Sequence, residues 1–125
     1  MDNYRNKQFG QMGEDLASLY LINLGYEILT RNYHSRYGEI DIIALDNEEL
    51  VFVEVKTRDH SLENALRSIS KAKQNKLYRT AAHYLTTHPS LEENFSRFDV
   101  IIILKDQSGK SSPKITHLKE AFSSV

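Results

Sequence analysis

A chain of 125 residues with a formal net charge of −1 and no cysteine can bury a core of its own, so we predict a single domain over residues 1–125. The absence of cysteine excludes disulfides, zinc–thiolate sites and a thiol nucleophile. No apolar run reaches the length of a membrane span, and the first residues lack the apolar core of a secretory signal. We therefore expect a cytoplasmic protein that does not enter a membrane.

The charges are unevenly distributed along the chain. Residues 1–60 carry 11 acidic and 6 basic side chains, whereas residues 61–125 carry 6 acidic and 10 basic ones. The near-neutral total argues against a protein that coats DNA by bulk electrostatics. Local concentrations of both signs suit an enzyme that holds a cation and binds a polyanion, although two ordinary surfaces would give the same balance.

Hydrophobic periodicity predicts seven elements in the order α-β-β-β-α-β-β. The first helix carries an apolar stripe at three- and four-residue steps, formed by Phe9, Met12, Leu16, Tyr20 and Leu24 and widened by Ala17 and Leu21. It is expected to end at Gly25, which favours a left-handed cap, and Ser70 is expected to cap the second helix. The predicted helices cover residues 9–24 and 70–86, and the predicted strands cover 26–33, 39–45, 50–57, 98–104 and 115–118. This order predicts an α/β fold in which helices flank one mixed sheet.

The second and third strands are predicted to form a hairpin that gathers charged side chains. If residues 46–49 form a four-residue loop, Asp41 lies opposite Glu54 and Glu39 lies opposite Lys56. Residues spaced by two share a face of a strand, so all four side chains would emerge on one side of the sheet. A shift of the register by one residue would destroy this arrangement.

Two carboxylates set face to face predict a site for a hard divalent cation. Like charges opposite one another are unfavourable unless something neutralises them, and Mg²⁺ binds through one or two carboxylates while keeping waters and phosphate oxygens. Such an ion acidifies a bound water and polarises a phosphate, while Lys56 can hold the water or offset charge on the phosphate. A Glu-X-Lys alternation alone is more often surface decoration, and it is the hairpin register that favours a functional reading.

Segments along nearly the whole chain resemble the YraN family of predicted endonucleases, members of the PD-(D/E)XK, or restriction-endonuclease-like, superfamily that includes archaeal Holliday junction resolvases. The matching segments are Gly13–Ala17, Leu24–Tyr26, Arg31–Tyr33, Gly38–Ala44, Val51–Arg58, Lys73–Gln74, Arg97–Val100 and Ala121–Phe122. The resemblance implies the restriction-endonuclease-like core, a mixed central sheet flanked by helices, with the active site at the open end of the sheet. It departs from the superfamily pattern at Ile40, where a proline commonly precedes the aspartate.

The resemblance also implies roles for particular residues. Asp41 matches the motif aspartate, and Glu54 and Lys56 match the (D/E)XK pair. Glu14 matches the acidic residue that related resolvases carry on the first helix, where it completes the metal shell; a solvated glutamate favoured by the helix dipole is the alternative. Glu39 has no fixed superfamily role and can pair with Lys56 or extend the metal site.

The second predicted helix carries the remaining candidate residues. Gln74 and Tyr78 resemble the glutamine–tyrosine element of RecB-like nucleases, a spacing that also arises by chance. A basic cluster is predicted to contact phosphates without reading sequence, and it consists of Arg58, Lys71, Lys73, Lys76 and Arg79. A plain solvated helix face would explain these basic residues equally well.

We therefore predict an endonuclease that uses Mg²⁺ or Mn²⁺ and acts on DNA, including branched or nicked DNA. A homodimer would suit branched DNA, because paired sites could meet paired strands. The alternative is a nuclease-fold module that binds nucleic acid or a protein partner without cutting it. Arg97 and Asp99, which flank the start of the fourth strand, are explained at least as well by a structural ion pair as by catalysis.

Overall fold

The structure, a computed structural model, describes residues 2–58, 65, 67–105 and 112–123, with side chains from residue 10 onward. Its elements are helix α1 (Asp2–Asn23), strands β1 (Glu27–Ser35), β2 (Gly38–Asp46) and β3 (Glu49–Arg58), helix α2 (Lys71–Thr87), a 3-10 helix (Pro89–Leu91), and strands β4 (Ser96–Leu104) and β5 (Lys114–Phe122). The predicted α/β class and the order α-β-β-β-α-β-β are confirmed. Within the described ranges, no helix is both long enough and apolar enough to cross a membrane.

The strands form one mixed five-stranded sheet in the order β1-β2-β3-β4-β5. All neighbours are antiparallel except β3 and β4, which are parallel. A parallel pair needs a crossover connection, and α2 lies within it. Ile42 packs with the α1 side chains Ala17 and Leu21, whereas Ile43 packs with Leu77 and Ala81 of α2. Because neighbouring residues of a strand point to opposite faces, the two helices flank the sheet.

Helix α1 buries part of the stripe that its periodicity predicts, since Leu16 and Tyr20 pack against the same cluster as Ala17 and Leu21. Ala17 and Leu21 are fully buried as expected, but Met12 and Leu24 are 56% and 53% exposed. Gly13, Ala17 and Leu21 follow one another at four-residue steps, and this row of mostly small residues lets the helix approach the sheet closely. The predicted stripe is therefore wrong at Met12 and Leu24, because close packing favours the side with the small residues, and the side chain of Phe9 lies outside those described.

Local signals at the ends of elements are confirmed. Gly25 has a φ of 96° at the end of α1, and the Ser70 side chain accepts a hydrogen bond from the backbone N–H of Lys73 at 3.2 Å. Strand β5 is longer than the predicted residues 115–118, because it continues to pair with β4 as far as Phe122. The predicted burial of β4 on both faces is confirmed, since the side chains from Val100 to Ile103 are at most 1% exposed.

The β2–β3 hairpin has the predicted register but a tighter turn. Asp46 pairs with Glu49, so the loop consists of residues 47 and 48 rather than the predicted four residues. Asn47 adopts a φ of 56°, the left-handed conformation that a tight hairpin requires. Shortening the loop by one pair leaves the register unchanged, and the predicted pairing holds from Asp46 to Ile42, which lies opposite Val53.

Candidate active site

An open cavity of about 490 Å³ lies beyond the Ile42–Val53 pair, where the regular pairing of β2 with β3 ends. Acidic side chains from α1, β2 and β3 line one part of it, and lysines from α2 line another. Its lining residues are Glu14, Asn32, Gly38, Glu39, Asp41, Glu54, Ser70, Ala72, Lys73, Lys76 and Leu77. The cavity therefore joins an acidic group to a basic rim, as a site for a cation and a phosphate would require.

Asp41 occupies the point at which the hairpin opens. The regular β2–β3 pairing ends at Ile42 and Val53, and the Asp41 Oδ2 atom then accepts a hydrogen bond of 2.7 Å from the backbone N–H of Val55. The aspartate side chain thus takes the place of a backbone acceptor at the next position. This bond holds the carboxylate at the fork, close enough to Glu54 to influence its ionisation.

The surroundings of Glu54 disfavour the charged form of its carboxyl group. Its side chain is only 10% exposed. Burial, followed by the adjacent Asp41 carboxylate, raises the pKa of Glu54 to about 8, while Lys56 and Lys73 act in the opposite direction. In the absence of a cation, the protein therefore disfavours the charged form of Glu54.

Lys56 lies beside Glu54 and is nearly as buried. Its Nζ atom is 3.9 Å from Glu54 Oε1, and its side chain is 8% exposed. Burial and the close approach of Lys73 lower the pKa of Lys56 to about 8, against the opposing effect of Glu54. The ammonium group is thus held in a partly desolvated position, where its interaction with a phosphate or a water would be stronger than at the surface.

Helix α1 brings Glu14 to the cavity through a close contact made by its neighbour. A Cβ atom at Gly13 would collide with the Thr57 side chain, so only glycine lets the helix lie this close to β3. Glu14 Oε1 is buried without a hydrogen-bond partner among the described residues. Burial and the charge of Asp41 raise the pKa of Glu14. A buried carboxylate oxygen in this state needs a hydrogen-bond donor or a cation as a partner.

The donor set fits a hard divalent cation, although it is not a fully assembled cage. Within the described part of the chain, no three Asp, Glu or His side chains converge tightly enough to form a complete metal site. Mg²⁺ needs only one or two carboxylates, and Asp41 and Glu54 place two in the lining of the same cavity. Glu14 also lines the cavity, and its buried Oε1 atom has no hydrogen-bond partner among the described residues.

The other predicted residues are only partly brought together. Glu39 lines the cavity, but its carboxylate lies 3.4 Å from His34 and is 64% exposed, whereas the predicted pairing would place it opposite the buried Lys56. The separation of β2 and β3 explains this difference, because the ladder does not continue to that position. Of the α2 basic cluster, Lys73 and Lys76 line the cavity, and Lys71 and Arg79 are exposed outside its lining.

Gln74, Tyr78 and Arg58 have contacts outside the cavity lining. The Gln74 side-chain amide donates to the carbonyl of Ile69 at 3.4 Å, near the start of α2. The Tyr78 ring packs edge to face against Phe98 at 5.0 Å, and its buried hydroxyl has no partner among the described residues. Arg58 donates to the Thr57 carbonyl at 2.8 Å. Gln74 and Tyr78 do not line the cavity that contains the carboxylates, and the role predicted for them stays a prediction.

Asn32 and Ser70 line the cavity, although the sequence predicted no role in the site for Asn32 and only a helix cap for Ser70. The segment Arg31–Tyr33 belongs to the family resemblance, but nothing in its composition distinguishes a site residue from a strand residue. The residue type was the one feature that could have indicated an unusual backbone at this position, because asparagine tolerates a left-handed conformation better than most residues. Asn32 has a φ of 53°.

A second polar cluster lies near the β2–β3 turn, and sequence reasoning identified only its Arg97–Asp99 pair. The buried Arg97 donates to Asp99 at 3.0 Å, to Asp46 at 3.0 Å and to Glu49 at 2.9 Å. Fully buried Asp99 also contacts His117 Nε2 at 2.7 Å. Burial opposes the charge on Asp99, but its hydrogen bonds with His117 and Arg97 prevail and lower its pKa. This cluster ties four strands together, which supports the structural interpretation of Arg97.

Comparisons with known proteins give one consistent match. The family described as "Uncharacterised protein family UPF0102" matches residues 13–103. A UPF0102 protein of Clostridium botulinum (strain Loch Maree / Type A3) is 42% identical over 122 residues, which cover 96% of this chain and 98% of the relative. A UPF0102 protein of Chlorobium chlorochromatii (strain CaD3) is 44% identical over 119 residues, covering 92% and 91%. One from Acaryochloris marina (strain MBIC 11017) is 40% identical over 127 residues, covering 93% and 74%.

Proposed function

The chain belongs to the uncharacterised protein family UPF0102, and we propose that it is a metal-dependent endonuclease that hydrolyses phosphodiester bonds in DNA. The observation that carries this proposal is that Asp41 and Glu54 line the same cavity, with the buried amine of Lys56 3.9 Å from Glu54. A half-buried carboxylate beside a buried one is unfavourable unless a cation neutralises the two charges. The resemblance to the PD-(D/E)XK superfamily assigns the same three residues to the same chemistry.

The cofactor that we propose is Mg²⁺ or Mn²⁺, held by Asp41 and Glu54 with Glu14 as a further acceptor. When bound, such an ion polarises a phosphate oxygen and lowers the pKa of a bound water to near neutrality. Oxygen donors favour these hard cations, and the chain has no cysteine that would favour a softer metal. Binding also requires Glu54 to lose its proton, which links metal affinity to pH.

The residues around the carboxylates can position the substrate and the attacking water. Lys56 lies 3.9 Å from Glu54 and can hold a water between the two, or stabilise the charge that grows on the phosphate as the water oxygen attacks phosphorus and the ester oxygen leaves. Lys73 and Lys76, on the rim, can hold phosphates on either side of the bond that breaks. None of these contacts reads base identity, so we expect weak sequence preference.

The DNA that we propose as substrate includes branched and nicked forms. The cavity is open to solvent, so a backbone that is already separated from its duplex could enter it more easily than an intact one. A homodimer acting in the cytoplasm would present two cavities to the paired strands of a junction. Sedimentation of the protein with and without four-way-junction DNA would test whether two copies assemble.

A non-catalytic module that binds nucleic acid or a protein partner is the alternative function. The absence of three converged Asp, Glu or His side chains within the described residues favours this alternative, because a site retained for binding does not need a complete metal shell. The basic rim would serve binding equally well. The intact set of Asp41, Glu54 and Lys56 favours the enzyme, because a module that binds only through its basic residues gains nothing from placing two carboxyl groups in the same cavity.

The decisive experiment incubates supercoiled, linear and four-way-junction DNA with the protein and Mg²⁺ or Mn²⁺. Asp41→Asn and Lys56→Ala are the site variants, and Glu92→Gln, an exposed carboxylate outside the cavity lining, is the matched control. We expect the wild type and the control to cleave and the two site variants to lose cleavage. Cleavage that persists in both site variants would overturn the proposal, and metal-independent binding without cleavage would favour the alternative.

A further inference from the structure

Strand β1 changes faces beside the cavity. Residues two positions apart normally share a face of a strand. Arg31 nevertheless reaches α1, where its guanidinium donates to Asp15 at 2.8 Å, whereas Tyr33 packs in the α2-side cluster and its hydroxyl contacts His83 at 2.7 Å. The alternation of the strand is therefore interrupted between these residues, at Asn32.

Strand β2 makes the same change directly opposite. Ile42 packs in the α1-side cluster and Ile40 in the α2-side cluster, although the two are also spaced by two. The pairs Arg31–Ile42 and Tyr33–Ile40 flank the interruption, so the register sets Asn32 across from Asp41. Both strands thus switch faces at a single position, and one of the two residues there is the proposed metal ligand.

The backbone of Asn32 accounts for the switch. Its φ of 53° lies in the left-handed region, which reverses the normal alternation of side chains in an extended chain. Asparagine and glycine adopt this conformation more readily than alanine or any β-branched residue. Asn32 also lines the cavity that contains Asp41 and Glu54.

We propose that Asn32 is a positioning residue for Asp41: its left-handed backbone kinks the β1–β2 pair and turns the Asp41 carboxylate toward Glu54 instead of into either packed face. The inference rests on the proposed function, since it gives the carboxylate pair its geometry. Asn32 acts here through its backbone. A direct contact between its carboxamide and a ligand would be a different role. The variants Asn32→Gly and Asn32→Ala distinguish the two roles.

The test measures Mn²⁺ affinity by calorimetry and thermal unfolding without metal for Asn32→Gly and Asn32→Ala. Asn47→Ala is the matched control, because Asn47 has nearly the same φ of 56° but lies in the β2–β3 turn and does not line the cavity. We expect Asn32→Ala to weaken Mn²⁺ binding about tenfold, as the loss of a residue that orients a metal ligand does, and Asn32→Gly to stay within about twofold of wild type. Asn47→Ala should lower the unfolding temperature as much as Asn32→Ala does and leave Mn²⁺ binding unchanged.

Two results would overturn this inference while leaving the proposed function intact. One is wild-type Mn²⁺ affinity in Asn32→Ala, which would reduce Asn32 to a structural role. The other is an equal loss of affinity in Asn32→Gly and Asn32→Ala, which would assign the effect to the carboxamide. A wild-type protein that neither binds Mn²⁺ nor cleaves DNA would instead refute the proposed function, and this inference with it.

Discussion

The Asp41 carboxylate accepts a 2.7 Å hydrogen bond from the backbone N–H of Val55, at the point where the β2–β3 ladder has ended. One oxygen of the carboxylate is therefore hydrogen-bonded to the backbone, and the other is sufficient to bind a divalent cation. The same bond satisfies a backbone donor that would otherwise lose its partner when the strands separate. The fork that opens the cavity is thus stabilised by the residue that we propose as a metal ligand.

Replacing Asp41 with asparagine should stabilise the metal-free protein and abolish its response to metal. The asparagine oxygen can still accept from Val55, while the repulsion with Glu54 disappears. We expect the free energy of unfolding in EDTA to rise by about 1 kcal/mol. Excess Mg²⁺ should raise the unfolding temperature of the wild type, because a ligand of the native state stabilises it, but should leave Asp41→Asn unaffected.

Asp15→Asn provides the control for this pair of measurements. Asp15 is an exposed carboxylate on α1 that pairs with Arg31, so its replacement should leave the stabilisation by Mg²⁺ intact. Equal metal-induced shifts in Asp41→Asn and wild type would contradict the assignment of Asp41.

The affinity for Mn²⁺ should rise steeply with pH up to about 8 and then level off. Burial and Asp41 raise the pKa of Glu54 to about 8, so binding below this pH must displace a proton. We expect affinity to increase by up to about tenfold per pH unit in this range. Calorimetry in buffers of different protonation enthalpy would measure the number of protons released on binding. An affinity that does not change with pH, with no proton release, would contradict this explanation.

The same carboxyl group predicts how stability changes with pH when no metal is present. The pKa of Glu54 in the folded protein lies above its ordinary value of 4.5, so its contribution is fully present below pH 4.5 and is lost as the pH rises to about 8. Urea unfolding in EDTA should show this decline in the wild type. The decline should become shallower in Asp41→Asn, because removing the neighbouring charge brings the pKa of Glu54 closer to its ordinary value.

Replacing Gly13 with alanine should destabilise the protein although alanine is the better helix former. The added methyl group would collide with the Thr57 side chain, and we expect a loss of about 1–3 kcal/mol in the free energy of unfolding. Gly10→Ala is the matched control on the same helix. A Cβ atom there meets nothing within 4 Å, so this substitution should stabilise α1 by up to about 1 kcal/mol.

A double variant separates the collision from other effects of the alanine. Thr57→Ser removes the methyl group that the new Cβ would strike, and it should restore a large part of the stability lost in Gly13→Ala. Because Glu14 follows Gly13, the single variant should also weaken Mn²⁺ binding. Strictly additive effects of the two substitutions on urea unfolding would show that the contact with Thr57 is not the cause.

Replacing Asp99 with asparagine should be strongly destabilising near neutral pH. The buried carboxylate contacts Arg97 and His117, and breaking a buried ion pair by removing one partner costs about 3 kcal/mol. The pKa of Asp99 is lowered in the folded protein, so its contribution is present above its ordinary value of 3.8 and is lost as the pH falls through the folded-state pKa. The difference from wild type in urea unfolding should therefore shrink in acid, whereas a difference independent of pH would rule out a charge effect.

The sequence by itself determined the order of the elements and the register of the hairpin. Alternating residues and a turn around Asn47 leave only one pairing of β2 with β3 that buries both apolar sets. The caps at Gly25 and Ser70 followed in the same way, because each depends on a few neighbouring residues. These are local properties, or properties of strands joined by a tight turn.

Only the tertiary structure decided where the hairpin opens and which faces are buried. The fork at Asp41 arises because β1 and β2 switch faces together, and the exposure of Met12 arises because α1 approaches the sheet on the side of Gly13. The high pKa of Glu54 requires burial by elements distant in the chain. The ionisation and direction of a side chain depend on everything packed around it, and periodicity records only its neighbours along one strand or helix.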